Sequence, residues 1–235
     1  MLVTQLYNRK MFLEKNIKGL CDKFGLDFEE FLTDLDVESV HDLAISDLEV
    51  ICDEYDTDLN SLLFNYPFKS NHFKSKLENI KLLVIDVDGV LTDGGMYVSE
   101  SGDEMKKFNT KDGMAIIHLT KNDFQVAIIS SGFKGEAVHQ RAERLGIQHC
   151  SVSRNPKIDT LKSICKDLNI ELSNVAIIGD DINDLEIMKV VGFSACPADA
   201  VNVVKSNVDV ILNKKGGEGC VREFIDFYIL SSPLN

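Results

Sequence analysis

The stretch LLVIDVDGVLTDGG (82–95) places Asp86 and Asp88 one residue apart, directly after a run of aliphatic residues. An aliphatic run of this kind is typical of a strand that is buried on both faces of a parallel sheet. A third aspartate, Asp93, follows four residues after Gly89. Because carboxylates are rarely buried without a partner, the stretch predicts a polar site at one edge of a sheet.

Similar aliphatic runs continue along the chain and alternate with helical patterns. Candidate strands are 81–86, 125–130, 174–179, 192–196 and 208–212, and candidate helices are 112–122, 134–145, 156–169, 182–190 and 199–205. This alternation predicts an α/β domain with a doubly wound, Rossmann-like parallel sheet. Ligands of such sheets bind beyond the carboxyl ends of the strands, where the strand order reverses. We therefore expect one crevice to receive Asp86-Val87-Asp88, Ser130-Ser131-Gly132 and Gly179-Asp180-Asp181.

The chain changes in composition near residue 75. Residues 1–75 carry 7 Lys and Arg against 15 Asp and Glu, with few glycines, whereas residues 76–235 carry 18 against 23. Between the two parts lies the polar stretch NYPFKSNHFKSK (65–76), which has the composition of a linker. We predict an acidic, all-helical domain at 1–75 and the α/β domain at 76–235.

Charge, hydropathy and cysteine usage limit the location and the partners. A net charge of −13 argues against nucleic acid or an anionic membrane as the partner of the whole chain. No apolar run approaches the ~20 residues that cross a bilayer, and charges interrupt the N-terminal apolar residues, unlike those of a secretory signal. The six cysteines form no CxxC pair, which indicates reduced thiols and a cytoplasmic protein.

The predicted strand ends suggest one kind of chemistry. Carboxylates that converge on one point repel each other unless a cation compensates them, and Mg²⁺ prefers such hard oxygen ligands together with substrate phosphate. A carboxylate can also attack phosphorus to form an aspartyl-phosphate. With the hydroxyl of Ser130 and the ammonium of Lys157 as donors to phosphate oxygens, these are the components of a metal-dependent phosphotransferase.

Four segments, DVDGVLTDG, IIS, a lysine at a helix start and GDDINDLEIM, follow each other in this order and resemble the motifs of the haloacid dehalogenase superfamily of phosphatases. GDEMKKFNTKDGMAI (102–116) stands where many members insert a large cap domain, and GGEGCVREFIDFYIL (216–230) is a distinctive C-terminal helix. Both resemble the capless 3-deoxy-D-manno-octulosonate 8-phosphate phosphatases and their sialic-acid-pathway relatives, over about residues 80–231.

The resemblance implies a Mg²⁺-dependent phosphatase that hydrolyses a sugar-acid phosphate through an aspartyl-phosphate. The substrate would be 3-deoxy-D-manno-octulosonate 8-phosphate, of lipopolysaccharide biosynthesis, or a related nonulosonate 9-phosphate. It also implies a homotetramer, in which a hairpin at about 96–108 helps to close the active site of a neighbouring subunit.

Catalytic and metal-binding roles follow from the same resemblance. Asp86 would be the nucleophile, and Asp88 the acid for the leaving group and then the base for water. The metal would bind the Asp86 side chain, the Asp88 carbonyl oxygen and Asp180. Asp181 and Asp184 would orient ligands or a water molecule.

Substrate contacts are implied for a further set of residues. Phosphate oxygens would bind Ser130, Ser131 and Lys157, and the substrate entrance would lie near Asn109, Lys111 and Asp112. The octulosonate enzymes usually read Thr-Gly-Arg where this chain has Ser130-Ser131-Gly132, and an arginine is common at the position of Lys111. Because a guanidinium binds carboxylates in a way that neither glycine nor lysine reproduces, the identity of the sugar stays open.

Several of these residues also have a purely structural interpretation. Asp93 fits a turn better than a site. Ser130 fits a helix cap, Asp184 fits the first turn of a helix, and Lys157 after Pro156 fits a solvated helix start. The histidines that lie on or beside predicted elements are interpreted as structural: His118, His139 and His149.

The first 75 residues resemble a different family. ISDLEVICDEYDTDLNSLLF is similar to the last helices of a lambda-repressor/Cro-like helix-turn-helix domain. DNA binding needs cations, but residues 20–60 contain only Lys23 against 14 acidic residues, and VESVHDLAI, where a recognition helix would fall, carries Glu38 and Asp42. We therefore predict no DNA binding and expect a module for protein docking or self-association, or a stability cap. A phosphatase-like regulatory or scaffold protein that acts through this module is the alternative function.

Overall fold

A computed structural model describes residues 13–22, 24–55, 59–64, 73–132 and 135–230 of the chain. The chain divides into two compact units, Met1–Ser75 and Lys76–Asn235. Among the described residues, no helix combines the length and the apolar character needed to cross a bilayer.

The first unit is helical in its described part. A helical segment at 13–22 precedes α1 (Phe28–Asp34), α2 (Ile45–Glu54) and α3 (Leu59–Phe64). Asp27 begins α1, because its side chain accepts the amide hydrogens of Glu29 and Glu30. Residues 37–44, which hold most of the predicted recognition segment, form turns and not a helix. The likeness to a helix-turn-helix domain and the absence of DNA binding stay predictions.

The core of the first unit is apolar. The buried residues that pack together in it are Ile17, Leu20, Cys21, Phe31, Leu32, Val40, Leu48, Ile51, Cys52 and Leu62. Asn16 is fully buried beside this core, and its Nδ2 donates a hydrogen bond to the Leu62 carbonyl oxygen at 2.6 Å. This bond ties the helical segment at 13–22 to α3.

The second unit begins with the end of a short helix, α4 (Lys74–Leu77), and is built on a six-stranded parallel sheet. The strands are β1 (Leu82–Ile85), β4 (Gln125–Ser131), β5 (His149–Ser153), β6 (Val175–Ile178), β7 (Phe193–Cys196) and β8 (Val210–Ile211). Their order is β5-β4-β1-β6-β7-β8, and every adjacent pair is parallel. The predicted doubly wound α/β class is therefore confirmed.

Helices join these strands and complete the layers. They are α5 (Thr110–Lys121), α6 (Glu136–Arg144), α7 (Lys157–Leu168), α8 (Leu185–Met188), α9 (Asn202–Lys205) and α10 (Cys220–Phe224), which continues as a helical turn over Ile225–Ile229. The helix predicted at 134–145 corresponds to α6, which begins at Glu136. Residue 135 precedes the helix, and residue 134 lies outside the described residues. β1 is buried at all four residues, as expected for a strand with helices on both faces.

Two features differ from the predicted elements. The sheet has a sixth strand, β5, which the sequence prediction missed because its five residues, HCSVS, are half-buried and only partly apolar. The predicted helix 182–190 is a 3₁₀ turn at Ile182–Asp184 followed by α8. The hairpin expected at 96–108 is present as the antiparallel pair β2 (Tyr97–Val98) and β3 (Glu104–Met105).

The C-terminal segment packs against the turn that follows β1. Gly217 N donates to the Val90 carbonyl oxygen at 2.9 Å, and Cys220 Sγ donates to the same oxygen at 3.3 Å. A Cβ at Gly216 would overlap the Gly89 carbonyl oxygen, so the two backbones touch. Residues about 130 positions apart in sequence thus fix the turn at 87–91.

Candidate active site

The reversal in strand order falls at β1. The chain passes from β1 to β4 and β5 on one side and then crosses to β6 on the other. Ile85 pairs with Ile128 of β4 and with Ile178 of β6, so the residues that follow these positions leave the sheet at the same edge. Asp86, Ser130 and Asp180 stand at that edge, as the sequence predicts.

Three carboxylates converge there. Asp86, Asp180 and Asp184 each offer an oxygen, and these oxygens lie within 4.8 Å of one another. Oδ1 of Asp180 is buried and has no hydrogen-bond partner. Hard oxygen ligands around an unsatisfied carboxylate oxygen fit a divalent cation such as Mg²⁺. Asp184, which the sequence places only in an orienting role, belongs to this cluster.

Lys157 is the cation of this cluster within the described residues. Its Nζ lies 2.9 Å from Asp86 Oδ1 and 2.7 Å from Asp184 Oδ1, and its side chain is 3% exposed. Burial lowers the pKa of Lys157, but the two carboxylates outweigh that effect and raise the pKa above its usual value. The interpretation of Lys157 as a solvated helix start is therefore wrong.

The carboxylates hold their protons more strongly than free aspartate does. Burial raises the pKa of Asp86 to about 6, the charge of Asp184 adds to this rise, and Lys157 opposes it. Burial raises the pKa of Asp180 to about 7, with further contributions from Asp86 and Asp184. Because one ammonium serves three carboxylates, the cluster has excess negative charge that a divalent cation would compensate.

Glycines make room for these side chains. Gly89 has a φ of +86°, and a Cβ at this position would overlap the carboxylate of Asp180. A Cβ at Gly179 would lie 2.5 Å from the carboxyl carbon of Asp184. Asp184 is fixed further by the Asp180 amide, which donates to its Oδ2 at 3.1 Å. Asp184 is therefore more than a first-turn helix residue, because it holds both Lys157 and the backbone of Asp180.

The Asp88 carboxylate faces a different group. Lys106 Nζ donates to its Oδ1 at 2.5 Å, and the Thr92 hydroxyl donates to the same oxygen at 3.4 Å. The neighbouring Lys107 pairs with Asp93 at 2.8 Å, outside this region. Adjacent lysines of the hairpin thus serve two different aspartates, and the sequence alone did not separate them.

A cavity of about 360 Å³ opens beside Asp88 and Ser130. Its described lining consists of Asp88, Met96, Glu104, Lys106, Ser130, Ser131, Gly132, Val138, Val152 and Arg154. Ser130 is 5% exposed, whereas Ser131 is exposed and its Oγ accepts a hydrogen bond from Asn183 Nδ2 at 3.3 Å. The sequence prediction missed Lys106 and Arg154, since neither lies in one of the four motifs, and it gave no role to Asn183, although this residue lies in the motif GDDINDLEIM.

The residues predicted at the substrate entrance do not share one environment. Asn109 caps α5 through its Oδ1, which accepts the Lys111 amide, and its Nδ2 donates to the Gly217 carbonyl oxygen at 3.0 Å. Asp112 is 1% exposed, and its Oδ1 accepts the amide hydrogen of Arg222 at 2.7 Å. Asp112 therefore holds the start of α10, and Lys111 is exposed.

Asp181 lies at the start of the turn after β6. Its Oδ1 accepts the amide hydrogen of Ile182 at 2.7 Å, and its side chain is exposed. Its charge contributes to the raised pKa of Asp180. The carboxylate of Asp181 thus caps the turn, while the part expected for it in orienting ligands stays a prediction.

Residues 152–225 match the family of haloacid dehalogenase-like hydrolases. This match and the site at the strand reversal define the class: the chain is a hydrolase of the haloacid dehalogenase superfamily.

Relatives narrow this assignment. The chain is 39% identical over 171 residues to the 3-deoxy-D-manno-octulosonate 8-phosphate phosphatase KdsC of Salmonella typhi, covering 73% of this chain and 90% of the relative. The crystal structure of the corresponding phosphatase from Yersinia pestis superposes with a TM-score of 0.65 at 36% identity, over 68% of this chain and 86% of that one. The crystal structure of the 3-deoxy-D-manno-octulosonate 8-phosphate phosphatase from Moraxella catarrhalis contains a magnesium ion, a phosphate ion and a KDO molecule. It superposes with a TM-score of 0.64 at 35% identity, over 68% of this chain and 91% of that one. The chain belongs to the KdsC family of 3-deoxy-D-manno-octulosonate 8-phosphate phosphatases.

Proposed function

We propose that this phosphoric monoester hydrolase uses Mg²⁺ to hydrolyse 3-deoxy-D-manno-octulosonate 8-phosphate or a closely related sugar-acid phosphate. The observation that carries the proposal is the convergence of Asp86, Lys157, Asp180 and Asp184 at the reversal of strand order. The family relatives supply the substrate class. A nonulosonate 9-phosphate of the sialic acid pathway stays a second substrate within the proposal.

Asp86 is the nucleophile of the proposed reaction. Its carboxylate attacks phosphorus, the bond from phosphorus to the sugar oxygen breaks, and an aspartyl-phosphate forms. Lys157 holds Asp86 Oδ1 at 2.9 Å and so orients the attacking carboxylate. Lys157 and the hydroxyls of Ser130 and Ser131 donate to the phosphate oxygens. Asp86, the Asp88 carbonyl oxygen and Asp180 would hold Mg²⁺, whose positive charge would lower the repulsion between carboxylate and phosphate.

Asp88 moves the proton. Oδ1 of Asp88 accepts hydrogen bonds from Lys106 and Thr92, so the proton that Asp88 transfers resides on Oδ2. In the first step Asp88 gives this proton to the leaving sugar oxygen. In the second step Asp88 takes a proton from water, which attacks phosphorus and releases phosphate and free Asp86.

The first experiment measures phosphate release from a panel that includes the octulosonate 8-phosphate and nonulosonate 9-phosphates, with Mg²⁺ and with chelator. We expect Mg²⁺-dependent turnover of one sugar-acid phosphate and a loss of roughly a thousand-fold or more in Asp86→Asn, because the nucleophile is removed. Asp93→Asn is the matched control, since Asp93 is an exposed turn residue paired with Lys107. Equal turnover in Asp86→Asn and Asp93→Asn would refute the assignment of the nucleophile.

We also propose a tetramer that forms through the hairpin of β2 and β3. The hairpin exposes four apolar side chains, Met96, Tyr97, Val98 and Met105, each more than half exposed. An apolar patch of this kind favours a subunit interface. Sedimentation equilibrium of the full chain tests the proposal, which a monomer at micromolar concentration would contradict.

We propose a cytoplasmic location, supported by six cysteines that form no CxxC pair. Residues 1–75 are proposed to dock a protein partner or a second copy of the chain, in keeping with their excess of acidic residues. Disulfide mapping of the isolated protein and affinity capture with residues 1–75 deleted, compared with the full chain, test these two points.

A further inference from the structure

The cavity beside Asp88 is larger than a phosphate group requires. Its volume of about 360 Å³ falls within the range of small-molecule sites, roughly 300–1,000 Å³. Asp88 and Ser130 lie on the side that faces the reacting phosphate. Glu104, Met96 and Arg154 also line the cavity, and the proposed reaction uses none of them.

Strand pairing places Arg154 at the same edge of the sheet as the reacting groups. Ser130 pairs with Val152 and Ser131 pairs with Ser153, so Gly132 and Arg154 are the next residues on two neighbouring strands. The Gly132 amide donates to the Ser153 carbonyl oxygen at 3.4 Å, which keeps the two strand ends together. β5 lies two strand spacings from β1, about 10 Å. Arg154 thus stands on the far side of Ser130 from the nucleophile.

Two of the described lining residues are cations, Lys106 and Arg154. Lys106 pairs with Asp88 and is 9% exposed in its side chain, so it lies at the end of the cavity where the proton is transferred. Arg154 is exposed to the cavity and lies on the neighbouring strand end. Gly132, beside it, presents no side chain of its own.

A sugar-acid phosphate carries two anionic groups at separate positions. The phosphate is bound at Asp86 and Lys157, so the carboxylate needs a second cation some distance away. A guanidinium binds a carboxylate through two parallel hydrogen bonds and keeps its charge at any physiological pH. Besides Asp88, the described lining has one acidic residue, Glu104. Its carboxylate can accept hydrogen bonds from the hydroxyl groups of a sugar.

We propose that Arg154 determines substrate specificity and that its guanidinium binds the carboxylate of the sugar acid. This inference rests on the proposed function, since it names a contact for the same substrate. Arg154 touches the substrate far from the reacting phosphorus, so it contributes to binding and leaves the chemistry to Asp86 and Asp88.

The test compares wild type, Arg154→Ala and Arg154→Lys on two substrates with Mg²⁺. One substrate is the sugar-acid phosphate with the highest turnover in the panel, and the other is p-nitrophenyl phosphate, which has no carboxylate. Arg144→Ala is the matched control, because Arg144 lies in the last turn of α6 and is not one of the lining residues. Melting temperatures establish that each variant is folded.

For Arg154→Ala we expect the KM of the sugar-acid phosphate to rise roughly ten- to a hundred-fold, as for loss of a charged hydrogen bond. The kcat for the sugar-acid phosphate, and both kcat and KM for p-nitrophenyl phosphate, should stay within about two-fold of the wild-type values. Arg154→Lys keeps the charge without the paired hydrogen bonds, so its KM for the sugar-acid phosphate should lie between that of the wild type and that of Arg154→Ala.

Unchanged KM for the acid in Arg154→Ala, or an equal loss on both substrates, overturns the inference while the phosphatase function stands. Preference of the wild type for a sugar phosphate without a carboxylate also overturns it. Absence of Mg²⁺-dependent hydrolysis of every phosphate ester by the wild type refutes the proposed function itself.

Discussion

Replacing Lys157 by methionine keeps the length of the side chain and removes its charge. In the structure, Lys157 Nζ compensates two carboxylates, Asp86 at 2.9 Å and Asp184 at 2.7 Å, whose side chains are 6% and 0% exposed. Removing one partner of a buried ion pair costs roughly 3–5 kcal/mol, because the remaining charge is left without compensation. We therefore expect Lys157→Met to lower the free energy of unfolding of the metal-free protein by about that amount.

The same reasoning predicts how the loss depends on other charges. Bound Mg²⁺ compensates the carboxylates in part, so the loss is smaller in Mg²⁺ than in chelator. Adding Asp184→Asn to Lys157→Met removes one uncompensated charge and restores at least about 1 kcal/mol. Each kcal/mol corresponds to roughly 2–4 °C for a unit of this size, so we expect a shift of roughly 6–20 °C in chelator.

Scanning calorimetry of the full chain measures the effect. The transition of the α/β unit is identified as the one that Mg²⁺ raises in the wild type. Lys162→Met is the control, since Lys162 is exposed on the same helix, and its effect should stay within about 0.5 kcal/mol. A loss below about 1 kcal/mol for Lys157→Met in chelator would show that the buried lysine does not hold the cluster together.

Two other changes test the site and its support. Gly89→Ala places a methyl group on the carboxylate of Asp180 at a positive φ, so we expect a roughly ten- to hundred-fold weaker Mg²⁺ affinity by isothermal titration calorimetry; unchanged affinity contradicts the geometry. Burial raises the pKa of Asp112 to about 6, so the folded state favours the protonated form of this carboxyl group. The stability that Asp112 contributes is therefore present below about pH 4 and is lost as the pH rises through about 6. Between pH 4 and pH 7, the free energy of unfolding should therefore fall by up to about 3 kcal/mol less in Asp112→Asn than in the wild type, as measured by urea unfolding in chelator. The same pH dependence of the unfolding free energy in both proteins would refute this prediction.

The sequence predicts the centre of the sheet well and misses one of its two edge strands, for a physical reason. β1, β4 and β6 are buried on both faces, so their residues are continuously aliphatic and the pattern is plain. β5 lies at the edge and is only half-buried, so HCSVS carries no such pattern. The other edge strand, β8, was predicted at 208–212 because its segment VDVIL is mostly aliphatic, whereas a half-buried strand with few apolar residues gives no pattern to detect.

The same distinction applies to the site. Strand ends carry Asp86 and Asp180, and a helix start carries Lys157. The local sequence pattern identifies such positions, so these three residues could be predicted. The partner of Asp88 does not follow from local sequence, because Lys106 and Lys107 are neighbours and only the direction of the hairpin assigns one of them to Asp88. Asp112 was expected near the substrate, whereas its contact with Arg222 joins residues 110 positions apart.

The packing of the C-terminal segment on the turn after β1 has a consequence for the order in which the enzyme becomes active during synthesis. Asp86 and the turn that follows it leave the ribosome first, and the groups that bond to the turn, the Gly217 amide and the Cys220 thiol, are made about 130 residues later. A nascent or prematurely terminated chain that ends before residue 216 carries all four motifs and lacks the contacts that fix the 87–91 turn. Such a chain would hold Asp86, Lys157 and Asp180 without the contacts that shape the turn beside them, so activity would report that synthesis has passed residue 220.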